Sequence, residues 1–279
     1  VAADHGNIQP GDVVGDIENG AVSGLSRKLR THAQRTAERL VPEHGYAAGV
    51  LMIEHLAREG RGQERAGSRQ RTGDRLQRPE ALERLKDFVR IPSVGTDPAH
   101  DADTRRAAEW LCAQLQDLGF EAAVRDTTGQ PMVVGRSAPG GARSILFYGH
   151  YDVQPVDPLN LWDRDPFDAQ LEDTPQGKVI RGRGACDDKG QLMTFVEACR
   201  AWKQVTGSLP IDITFLIEGE EEVGSKNFVP FIEANKDEFK ADYVLVCDTG
   251  MWDRNTPAIT TSLRGLLYEE LKITAANRD

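Results

Sequence analysis

The chain has little of what marks several common protein classes. Its 279 residues include four cysteines, Cys112, Cys186, Cys199 and Cys247, with no Cys-x-x-Cys pair and no regular spacing. That excludes a zinc ribbon and offers no disulfide framework. No apolar run approaches the roughly 20 residues of a bilayer span; the longest near the start, residues 47–53, stops at Glu54. The opening VAADHGNIQPGD lacks a basic n-region and an apolar h-region, so no secretory leader is read there and the cytoplasm is the expected location. Positive charge is in deficit. Lys and Arg number 34 against 44 Asp and Glu, a formal net charge of −10, which disfavours nucleic acid and anionic membranes as partners.

Aromatic residues are also scarce, at 6%, and unevenly placed, since Tyr46 alone precedes residue 76. The stretch 58–75 is dominated by Arg, Gly, Gln and Glu and buries too little apolar surface to offset its ordering entropy. Helix-compatible pieces at 25–40 and 46–58 are broken at Pro42 and Gly45. Residues 1–76 therefore read as an extension, disordered or loosely helical, lying outside the folded unit. A small accessory helical domain is the alternative.

From Pro79 the texture changes. Leu82, Leu85, Phe88 and Val89 give an amphipathic helix that must end before Pro92. A second helix is expected over 103–118 with Gly119 as its stop, and a third over 189–205 ended by Gly207. Strands are read at 120–124, 132–134, 144–148, 178–181, 211–217 and 243–247, and a helix at 225–234. This alternation predicts an α/β fold, a mostly parallel sheet with helices on both faces, occupying residues 77–262. Two further strands, at 258–262 and 266–274, follow without a helix between them. They mark the edge of another domain at 263–279.

Three apolar strands end in acids or histidine. Residues 144–149 deliver His150-Tyr-Asp152, residues 211–217 deliver Glu218-Gly-Glu220-Glu221-Glu222, and residues 243–247 deliver Asp248. A fourth acidic pair, Asp187-Asp188, opens the helix at 189. Open α/β sheets bind ligands beyond the carboxyl ends of their strands, so these groups can converge. One imidazole among several carboxylates calls for a neutralising cation, and divalent zinc accepts that mixture of nitrogen and oxygen. Singly, a His-x-Asp or a run of Glu is commonplace; the conjunction at equivalent strand ends is not.

In this order HYDVQP, GRGACDDKG, EGEEEVGS and VCDTG resemble the signature of the dinuclear zinc metallopeptidase superfamily. That superfamily holds carnosine-type dipeptidases, aminoacylases, acetylornithine deacetylase and glutamate carboxypeptidase. The resemblance runs from about Pro79 to the last residue and is closest to the dipeptidase branch, through HYDVQP, the WDRDPF loop and DDKG. It implies two zinc ions, or another divalent metal such as manganese or cobalt. It implies that His150 and Asp248 hold one ion, that Asp187 bridges both and that Glu222 binds the second. Glu221 would be the general base toward the attacking water, and Asp152 would fix the His150 tautomer. A non-proline cis peptide after Asp187 is also implied, and supporting or solvated roles are left for Asp188 and Glu220. The implied reaction is metal-dependent hydrolysis of an amide or peptide bond in a small peptide, with N-acyl-amino-acid deacylation or a non-catalytic relic as alternatives.

The resemblance further calls for a metal-ligand histidine near a distal C-terminus and an oxyanion-stabilising histidine from an α+β lid domain. The six histidines here, His5, His32, His44, His55, His100 and His150, occupy neither position. Residues 263–279 are then expected to be the first lid strand of an incomplete enzyme, whose full form would dimerise through that lid. The first metal position keeps three ligands and the second only half a set.

Overall fold

The computed structural model describes residues 78–250 except 142 and 176, together with residues 258, 260, 262, 265, 267 and 269–274. The expected extension over 1–76, with its two helical pieces, lies outside the described residues. So do positions 259 and 261 of the expected strand 258–262, whose described positions 258, 260 and 262 are not in a strand.

Two helices open the described chain, α1 (Arg78–Val89) and α2 (Asp101–Asp117). α1 buries Phe88 and Val89 and α2 buries Ala107, Ala108, Leu111 and Leu115, and the Phe88 and Trp110 rings stack at 4.7 Å between them. Gly119 follows α2 at φ 73°, where a side chain would be strained. Strands β1 (Glu121–Arg125), β2 (Met132–Arg136) and β3 (Ser144–His150) come next. A hairpin of β4 (Gln170–Thr174) and β5 (Gly177–Arg181) stands as a separate two-stranded sheet. Helix α3 (Lys189–Thr206), β6 (Asp212–Glu218), α4 (Phe228–Ala234) and β7 (Tyr243–Val246) complete the unit.

The main sheet has the order β1-β2-β6-β3-β7. β3 runs parallel to both β6 and β7, while β2 opposes β6 and β1 opposes β2. All strands but β2 therefore point the same way, and the sheet is mostly parallel as expected. Helices cover both faces. Val133, Ile145, Phe147, Ile213, Phe215 and Ile217 pack in one core with Leu111, Leu115, Phe195 and Val196 of α2 and α3. The alternate residues Val134, Leu146 and Leu216 pack on the other face with Phe228, Phe231 and Ile232 of α4. The period of two that splits each strand between two cores explains why β3 and β6 read as continuous apolar runs.

One strand is additional to those expected, and two expectations are corrected. The sequence QLEDT of β4 has no apolar face to mark it and owes its conformation to pairing with β5. The helix expected from 225 begins at Phe228, because Gly224 and Ser225 adopt left-handed φ of 88° and 50°. The described positions of the strand expected at 266–274 are irregular and exposed, with Leu271 at 85% and Ile273 at 79%. No described strand pairs with them, and alternation alone does not hold a strand. Among the described residues no helix is long and apolar enough to cross a membrane.

Candidate metal centre

Parallel pairing puts the carboxyl ends of β3, β6 and β7 at one edge. His150 lies level with Glu218, the last residue of β6. β7 pairs as far as Val246 with Tyr148, and the Cys247 N–H extends the ladder to the Tyr148 carbonyl, so Asp248 emerges beside His150. The Asp187–Asp188 peptide is cis, and α3 begins at Lys189 directly after it.

His150 is fully buried. Its N–H donates to Asp188 Oδ2 at 3.0 Å. Its Nδ1 lies 3.1 Å from the Asp152 carbonyl and 3.3 Å from Asp152 Oδ1. That leaves Nε2 facing the acids, 3.1 Å from Asp187 Oδ1 and 4.0 Å from both Glu221 Oε2 and Asp248 Oδ2. Ligand atoms of His150, Asp187 and Asp248 all lie within 4.8 Å of one another. Glu222 stands outside this close group, its carboxylate taken by Gln154 Nε2 at 2.6 Å. Asp152, buried, accepts the main-chain N–H groups of Glu221 at 3.2 Å and Glu222 at 3.0 Å. It thereby couples the end of β3 to the turn that carries both glutamates.

The electrostatics are those of an acid-rich pocket. For His150, burial is the largest single influence and opposes the charged form. The hydrogen bond and charge of Asp152, with Asp188 and Glu221, outweigh it and lift the imidazole to about 10. Burial raises Glu221, and the charges of Asp248, Asp152 and Asp187 add to that against the opposing pull of His150. Glu222 is raised by burial and by Asp187, with the Gln154 hydrogen bond opposing. Asp188 is pushed up to about 8, again chiefly by burial. Asp188 Oδ1 and Glu218 Oε2 are buried without a hydrogen-bond partner. An excess of acceptors around one imidazole is the donor chemistry of a divalent-cation site.

His150, Asp187 and Asp248 are thus brought together with Glu221 and Asp152 beside the imidazole, while Glu222 is bonded to Gln154 instead. His100, the remaining described histidine, pairs with Asp103 at 3.0 Å at the start of α2. Sequence reasoning gave no place to Lys189. It is fully buried beneath the site, its Nζ donating to the carbonyls of Phe88 at 3.1 Å and Ile91 at 2.6 Å. The one available signal was a lysine inside DDKG, directly after the acidic pair. Asp188 and Glu220 are both buried rather than solvated.

The model of peptidase family M20/M25/M40 matches residues 146–274. The chain is 30% identical over 213 residues to the Cys-Gly metallodipeptidase of Schizosaccharomyces pombe, covering 72% of this chain and 44% of that protein. Among solved structures it resembles the M20 family metallo-carboxypeptidase Sso-CP2 of Sulfolobus solfataricus, with 35% identity and a TM-score of 0.56 over 62% of this chain and 38% of that one. Human carnosine dipeptidase 1 is 30% identical with a TM-score of 0.59, over 66% of this chain and 41% of that one. The chain spans less than half the length of these relatives.

Proposed function

This chain belongs to peptidase family M20/M25/M40, and from that premise we propose that it forms the metal-binding part of a hydrolase that cleaves the peptide bond of a dipeptide. The observation that carries the reading is the convergence of His150 Nε2, Asp187 and Asp248 within 4.8 Å, with Glu221 at 4.0 Å from the same imidazole nitrogen. His150 and Asp248 would hold one ion, Asp187 would be shared, and Glu222 would turn from Gln154 toward a second. Zinc is the ion best matched to one imidazole among carboxylates. The bound metal would supply Lewis acidity toward the attacking water and the scissile carbonyl.

Glu221 takes the proton of the attacking water as the oxygen–carbon bond forms. It returns that proton to the amine nitrogen as the carbon–nitrogen bond breaks. Its raised pKa brings it closer to neutrality, where a group that both accepts and donates a proton is most effective. Asp152 holds Nδ1 of His150 and keeps Nε2 directed at the acids.

The test is metal binding by chelator competition, combined with amine release from a panel of dipeptides, tripeptides and N-acetyl amino acids. Dipeptide cleavage that is lost in Glu221→Ala while metal content is retained supports the reading. Metal binding unaffected by replacing His150 or Asp187 overturns it. Preferential removal of the last residue from longer peptides would move the assignment to a carboxypeptidase, like the Sulfolobus relative.

A further inference from the structure

Residues 218–225 form the loop that carries Glu221 and Glu222, and both of its ends meet at one buried carboxylate. Glu218, fully buried at the end of β6, accepts through Oε1 from the Tyr148 hydroxyl at 2.7 Å and from Ser225 Oγ at 2.9 Å. Tyr148 lies on β3, the strand paired with β6. Between these ties the chain makes the short 3₁₀ turn Glu221–Val223 and leaves it through Gly224 and Ser225, both with positive φ. A serine in that region persists only where its surroundings hold it. Two other carboxylates brace the same loop. Asp152 takes the N–H groups of Glu221 and Glu222, and Glu220 takes the N–H groups of Gln130 at 3.0 Å and Asn227 at 3.2 Å. Glu218 alone joins the first residue of the loop to the last. Its Oε2 is buried without a partner, so a carboxylate here is costly for packing alone.

We propose that Glu218 is a positioning residue, closing the loop 218–225 against Tyr148 so that Glu221 is presented toward His150 and the adjacent Glu222 is held with it. The inference rests on the metal-centre reading above, since it concerns how that centre is held rather than what it does.

Cobalt(II) is the probe, because its visible spectrum reports the ligand set. Hydrogen exchange of the segment 219–225 and the thermal midpoint are measured beside it. In Glu218→Ala and in Ser225→Ala, exchange in that segment should rise. The cobalt affinity should fall about 10- to 100-fold with an altered spectrum, the loss typical when a residue supporting a ligand is removed. Glu218→Gln keeps an oxygen able to accept from both hydroxyls and should stay within about twofold of the parent, well inside that range. A lower thermal midpoint with unchanged cobalt spectrum and unchanged exchange overturns the proposal. So does a Gln variant that behaves like the Ala variant. If Glu218→Ala does not fold, Ser225→Ala decides by the same criteria. If the unmodified chain binds no cobalt, the metal-centre reading fails, and the exchange measurement still judges whether Glu218 closes the loop.

Discussion

Gly149 and Asp188 approach so closely that a Cβ on the glycine would stand 2.8 Å from the aspartate Oδ2. That oxygen accepts the N–H of the next residue, His150, so the hydrogen bond and the absent side chain belong to one arrangement. The start of α3 presses against the end of β3 at the point where the imidazole leaves the strand.

Gly149→Ala should therefore disturb the centre as well as the core. The added methyl meets the buried Asp188 carboxylate and the Phe147 ring at 3.4 Å, and overpacking of this kind costs about 1–3 kcal/mol. A thermal midpoint lower by several degrees and weaker binding of a divalent metal are expected together. Unchanged metal affinity in a destabilised variant would separate the two.

Asp152→Asn tests the coupling between β3 and the turn at Glu221. The carboxylate faces two main-chain donors and the His150 Nδ1, whereas an amide offers one acceptor and sets an NH₂ against a donor. Metal affinity should fall about 10- to 100-fold, read by competition with a coloured chelator. Binding within twofold of the parent would show that the turn and the imidazole are held by other contacts.

Much of this arrangement is legible in the sequence because it is local. Apolar runs ending in His150, Glu218 and Asp248 mark strand ends, and parallel pairing brings them to one edge. What escapes is held by distant partners. Lys189 is bonded to the carbonyl of Phe88, 101 positions earlier, and nothing around DDKG announces that the ammonium turns inward. Glu218 sits in a run of glutamates, and nothing in that run announces that the Tyr148 hydroxyl, 70 positions earlier, bonds its carboxylate. Strand β4 is invisible for the same reason, being polar in sequence and extended only because β5 lies beside it.

Glu197 supplies a stability test remote from the centre. It is 3% exposed and takes Arg84 through two hydrogen bonds of 2.7 and 2.6 Å, with Arg200 at 3.2 Å. It thus ties α1 to α3. Removing one partner of a fully buried pair costs about 3–5 kcal/mol, and the partial exposure of Arg84 lowers the expectation for Glu197→Ala to about 2–3 kcal/mol. Chemical denaturation should show this loss with metal affinity unchanged. A neutral result would mean that apolar packing and the Lys189 hydrogen bonds hold the two helices without help from this pair.

The final prediction concerns protons. In the metal-free protein the acids around His150 lift its pKa to about 10 although burial opposes them. At pH 7 the imidazole therefore carries a proton on Nε2, the atom that faces Asp187, Glu221 and Asp248. A metal that takes this nitrogen must displace that proton, so binding releases it to the buffer. The sign follows directly. Raising the pH removes the competitor, and the apparent affinity should climb by about a factor of ten per pH unit until the imidazole deprotonates unaided near 10. Titration calorimetry in buffers of different ionisation enthalpy should count about one proton released per metal at pH 7. His150→Gln should bind more weakly and lose most of the pH dependence. An affinity independent of pH below about 10, where the raised imidazole holds its proton, would mean that the metal is held by the carboxylates without His150.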